Sequence, residues 1–410
     1  MDKQIEYMDF DEEPALRARD VLPAPVSRRT ITSPSDSHDG KRILRIDLHD
    51  AVTKSRVGLM HGFPFPVQFR RQGALDAWRK ALCATPEGLA IWQDWGKPER
   101  TSYEIRKEIH AYLHYYRDYA DTDPQAHVWR TAARYWSMTC STNLMFELHN
   151  GTVIEATPAL ETLLAHSDID LALPMSMVVP PFTAQYLRFG HEATRLLPQP
   201  MPGNPAVVFD GVFCFLSAQP KDAADVERGG WLELIFIGKG CDRFDGHVSL
   251  NGWIARGHAT FNDWVRECMA NSGVEPSRGP EDMRSFVSYV VKVFLYLTLK
   301  DARRVAHSEF SDMHHRVESV GTKKKAKLAK RLASLYDGIV VGPAALTAPA
   351  GNGTPSSHAV APHWRRGHFR MQPHGQGNQL RKLIFVAPLL VHAARMGEET
   401  PRPRAYMASL

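Results

Sequence analysis

The residues best suited to chemistry cluster near the C-terminal end: His363, Trp364, Arg365, Arg366, His368 and Arg370, followed by Arg381 and Lys382 beyond a Gly375-Gln376-Gly377-Asn378 turn. No Asp or Glu occurs between Asp337 and Glu398. Cations interleaved with a flat indole suit a polyanion with exposed bases, so RNA is the first ligand class to weigh. The same residues allow a second chemistry. His363 or His368 would serve as general base while Arg365 or Arg370 stabilises charge on a phosphate, as in metal-free ribonucleases. Metal binding is a third possibility, using His363, His368 and His374. The first two point to opposite faces of a strand, and no neighbouring acid orients them, so neither a metal nor a cofactor is expected.

The element that must carry these side chains is a hairpin. His363 to Arg370 reads as one strand and Leu380 to Val386 as its partner, with Pro373 to Asn378 as the turn. Alternation places Arg366, His368 and Arg370 beside Trp364 on one face, and His363, Arg365, Gly367 and Phe369 on the other. A basic hairpin also serves as a solvated edge, because charge deters strand-to-strand pairing. Upstream, Arg303, Arg304, His307, His314, His315 and Arg316 lead into Lys323, Lys324, Lys325, Lys327, Lys330 and Arg331. This run reads as one exposed basic helix ending before Gly338.

The rest of the chain supplies a core. Helical spacing marks 73–83, 99–119 and 125–148, and β-rich runs at 206–217, 231–237 and 247–254 follow, with a short strand at 43–48. Helices return at 261–269 and 283–299, the latter apolar nearly all round. The fold class is therefore α+β: a helical N-terminal part, a central antiparallel sheet, and a basic C-terminal helix plus β-hairpin. The division is a flexible lead over 1–41, the core over 42–300, a basic helical segment over 301–341, a Gly/Pro/Ser linker over 342–361 and the hairpin module over 362–410. Trp129, Tyr135 and Trp136 read as core.

Composition narrows the classes further. With 410 residues, 43% hydrophobic content and a net charge of +5, the distribution of charge says more than its total. Five cysteines without a CxxC pair argue against a disulfide framework and fit a reducing cytoplasm. The N-terminus lacks a signal-peptide pattern. The greasy run 286–299 is too short for a bilayer and is interrupted by Lys292, so no membrane partner is expected. No Walker motif, GxSxG elbow or HExxH occurs. Asp47-Leu48-His49-Asp50 is too commonplace to mark a metal site.

The string His363-x-Arg365-Arg366-Gly367-His368-Phe369, its Gly-rich turn, and Arg381 to Pro388 with Val391 beyond resemble the C-terminal signature of the second type V-A anti-CRISPR family and its mobile-element homologues. The likeness extends loosely to Phe286–Leu299, the basic segment and Tyr336 to Gly342. This resemblance implies a phage or plasmid protein acting in the bacterial cytoplasm. It would not be an enzyme. It would lower expression of a type V-A CRISPR effector nuclease by recognising the nascent N-terminal peptide and promoting loss of the mRNA. The implied partners are that nascent polypeptide and the mRNA or ribosome, with the core over 42–300 binding peptide. Trp364, Arg365, Arg366, His368, Arg370, Arg381, Lys382, Lys323, Lys324 and Lys325 would face RNA. The longer lead and the linker depart from the family pattern. The alternative is an endoribonuclease or RNA-binding toxin-like protein using His363 and His368.

Overall fold

The structure, a computed structural model, describes residues 63–97, 100, 105, 108, 139, 141–170, 172–196, 208–217, 230–239, 244–254, 260–272, 280–346 and 363–391. The strand expected at 43–48, Asp47 to Asp50, most of the helices at 99–119 and 125–148 with Trp129, Tyr135 and Trp136, and most of the linker lie outside these residues. The expected α+β class holds.

The first helices are α1 (Phe65–Arg71), α2 (Ala74–Leu82) and α3 (Pro86–Trp95). Proline opens α3 where its missing N–H is harmless, and the Thr85 side chain accepts from Gly88 N at 3.1 Å. Residues 141–148 are helical, and Asn150, at φ 49°, turns the chain into β1 (Thr152–Ala156). Next come α4 (Pro158–Ala165), β2 (Ser167–Ile169), β3 (Ala184–Arg188) and α5 (His191–Leu196). The long strands β4 (Val208–Ser217), β5 (Gly230–Lys239) and β6 (Phe244–Ile254) precede α6 (Phe261–Ser272) and α7 (Pro280–Thr298).

The basic segment carries the expected helix, as α8 (Glu309–Glu318) and α9 (Thr322–Leu332), but its first residues form a strand, β7 (Arg304–Ser308), and β8 (Asp337–Val341) follows over the Tyr336 to Gly342 stretch. Charge alone did not distinguish strand from helix here. Antiparallel pairing of Arg304–Ser308 with β8 fixes the extended backbone. The Asp337 carboxylate then starts α8, accepting from Phe310 N and Ser311 N at 3.0 Å each.

These strands form one sheet in the order β6-β5-β4-β3-β1-β8-β7. Its β3-to-β6 half is antiparallel as expected, whereas β1 runs parallel to both β3 and β8. Both faces are apolar. On β5, Leu232, Leu234 and Phe236 enter one core with Val212, Leu187 and Ile154, while Ile235 and Ile237 enter the other with Phe213, Tyr186 and Val153. Strict period-two burial on both sides is the mark of a sheet covered twice. Residues of α1 to α3 and 141–148 cover the second face, and those of α4, α6 and α7 cover the first.

Candidate functional site

After β9 (His363–Arg365) come β10 (Gly367–His374), β11 (Leu380–Val386) and β12 (Leu389–Val391), which pairs with β9. The first hairpin strand thus breaks at Arg366, and β10 runs on through Pro373 and His374, which sequence alone assigned to the turn. The turn contains Gly375 at φ 76°, Gly377 at φ 64° and Asn378 at φ 57°, a backbone that favours these residue types. Phe369 pairs with Phe385, and their rings stack with centroids 4.5 Å apart. Phe369 is fully buried in the core that contains α7, Leu383 joins it, and Met371 and Phe385 pack against it.

The hairpin is seated by a second pairing. β10 runs parallel to β2, Gly367 opposite Ser167, and Gly367 N donates to His166 O at 2.9 Å. The adjoining Arg366 Nη1 donates to both carboxylate oxygens of Asp168, at 3.2 and 2.9 Å. Both side chains are more than half exposed, so this pair is worth less than about 1 kcal/mol to stability. Its larger consequence is local charge: the stretch without acids acquires one from β2.

Among the residues singled out from sequence, Arg365, Arg370, Arg381 and Lys382 are exposed, and His368 is half-buried. Arg370 lies opposite Ile384, so Lys382 is its diagonal neighbour on the outward face. Arg381 Nη1 donates to Asn378 O at 3.3 Å and braces the turn. Exposed Lys324 and Lys325 lie on α9. Their partner helix α8 meets the N-terminal helices, with the Arg70 guanidinium 4.4 Å above the Phe310 ring. The side chains of His363, Trp364 and Lys323 lie outside the described residues.

Beneath the hairpin is a polar junction that sequence reasoning missed. Lys292, visible in sequence only as an interruption of an apolar run, donates from Nζ to Leu164 O at 3.0 Å. A cation there meets the last carbonyls of α4. Burial pushes its ammonium down from 10.5 to about 8, with Asp168 opposing and Arg366 adding to the shift. Burial also lowers His166, opposed by Glu192. Between pH 10.5 and 8 the unfolded chain holds a proton on this lysine that the native state lacks, so its contribution to stability is lost as pH falls through that window. Wild type is therefore expected to gain in Tm relative to Lys292→Met as pH rises from about 8 to 10.5, which calorimetry of both proteins at each pH would measure.

Residues 154–393 match the AcrVA2-like family, the anti-CRISPR type V subtype A2 family. That span covers more than half of the chain. The chain belongs to this family. The AcrVA2-like region runs from β1 to just beyond β12 and so contains the hairpin, β2, Lys292 and Asp168. The crystal structure of AcrVA2 is similar over 78% of this chain and 98% of its own, at 10% identity and a TM-score of 0.42. No curated protein matches. Among the described residues, no helix is long and apolar enough to cross a membrane.

Proposed function

We propose that this member of the anti-CRISPR family acts on expression. It recognises the nascent N-terminal peptide of a type V-A CRISPR effector nuclease and promotes loss of the encoding mRNA. The family match over 154–393 carries this reading. The exposed cations of the hairpin support a role beside RNA or the ribosome, because Arg370 and Lys382 share one outward face.

The test is a reporter carrying the first codons of an effector gene in front of a fluorescent protein, with mRNA and fluorescence measured with and without this chain. Loss of mRNA is expected in frame. It should vanish when a compensated frameshift changes the peptide and leaves the RNA nearly intact. If the frameshifted reporter is still lost, the nascent peptide is not what is recognised. Arg370→Ala with Lys382→Ala is expected to weaken association with single-stranded RNA. It should also flatten the salt dependence of that binding by about 1.4 in log–log slope, at about 0.7 per phosphate contact. Cleavage of naked RNA that disappears in His368→Ala would favour the endoribonuclease alternative.

A further inference from the structure

β11 is the end strand of its three-stranded sheet. One contact fixes which hydrogen-bonding groups of β11 turn away from β10. Gly367 N points to β2 through its bond to His166 O, so alternation along β10 turns the backbone groups of His368, Arg370, Gln372 and His374 towards β11. Their partners there are Val386, Ile384, Lys382 and Leu380. The amides and carbonyls of Arg381, Leu383 and Phe385 consequently face away from β10, and among the described residues no strand lies beyond them. Pro373 fits this register, since it sits opposite Arg381, where β10 gives no N–H to β11.

Exposed edges are normally blunted by proline, a bulge, a covering element or charged side chains. The seven residues of β11 contain no proline, and their register with β10 is unbroken. What the edge does carry is positive charge: Arg381 and Lys382 along it, and Arg370 on the same outward face as Lys382. Like charges oppose a second copy of the same strand and favour an acidic partner. A row that alternates N–H donors and C=O acceptors is matched by another peptide backbone, whereas the phosphates of RNA only accept. On the inner side the half-buried Phe385, 6.3 Å from the Tyr296 ring, offers an apolar neighbour to any strand laid beside it.

We propose that the edge of β11, unpaired among the described residues, takes an extended acidic peptide as an added strand. Its apolar residues lie opposite Leu383 and Phe385, and its acidic residues alternate with them opposite Lys382. The inference rests on the reading above in taking the natural occupant to be the nascent peptide.

The experiment uses the full chain with a synthetic peptide of alternating Glu and Val, a Lys/Val control of equal length, and a single-stranded RNA oligonucleotide. Hydrogen–deuterium exchange is followed over 380–386. Of the two peptides, only the Glu/Val peptide should slow exchange there. Arg381→Pro removes one outward N–H while sparing the bonds to β10, and should weaken that peptide by about tenfold or more. Arg370→Glu with Lys382→Glu should shift the preference to the Lys/Val peptide, and it tests the same edge should the proline variant fold poorly. Equal protection by both peptides, or protection by RNA and not by peptide, overturns the proposal. In the reporter assay, mRNA loss that persists in a folded Arg381→Pro variant refutes the edge as the seat and leaves the expression reading standing. Peptide binding as expected without mRNA loss does the reverse.

Discussion

Replacing Phe369 by alanine is expected to cost about 3–5 kcal/mol of unfolding free energy, the usual range for deleting a fully buried aromatic side chain. Phe369 is 0% exposed, stacks on Phe385, and belongs to the same core cluster as Val290, Phe294 and Leu297 of α7. It is the most deeply buried apolar side chain of the hairpin among the described residues. The parallel pairing to β2 spans only three residue pairs, and the Arg366–Asp168 contact is solvent-screened. The cost should therefore appear locally. Hydrogen exchange in 367–386 is expected to rise far more than in β4 or β5, and a uniform rise across the chain would refute the local seating. Arg366→Ala, by contrast, should change unfolding free energy by less than about 1 kcal/mol.

The parts of this architecture legible in the sequence are those with strong periodicity. The apolar helix α7, the long strands β4 and β5, and the hairpin with its glycine turn all announce themselves through spacing and turn chemistry. The elements that position the site do not. β2 has three residues and α5 has six, lengths at which local pattern carries little information and long-range pairing decides the conformation. Arg366 and Asp168 lie 198 residues apart, so nothing local links them. Lys292 stood out only as a polar residue in an apolar run, and its partner is a backbone carbonyl that any residue could provide. The helices at 309–318 and 322–332 fit the expected basic helix, but the strand at Arg304–Ser308 was missed for another reason: charge marks exposure, and exposed strands and exposed helices are charged alike.

Glu161 is the other position where a large effect is expected. Only 2% exposed, it accepts from Gly190 N at 2.6 Å and Glu192 N at 3.3 Å, while Tyr289 donates its hydroxyl at 3.4 Å. One carboxylate thus joins α4, the start of α5 and α7. Glu161→Ala leaves buried donors without an acceptor and is expected to cost about 3 kcal/mol. Gly190 makes room for the group, since a Cβ there would lie 2.4 Å from a Glu161 carboxylate oxygen. Gly190→Ala should therefore damage the same network, and the double variant should lose clearly less than the sum of the two singles. Additive losses would show that the glycine acts separately. Burial raises the Glu161 carboxyl above 4.5 despite the amide bonds. The native state then holds a proton that the unfolded chain has lost, so wild-type stability falls as pH rises from 4.5 through the native value. Glu161→Gln does not titrate. Its deficit relative to wild type should be largest near pH 4 and shrink as pH rises, and a deficit that grows with pH in paired denaturant titrations would refute the burial of this acid.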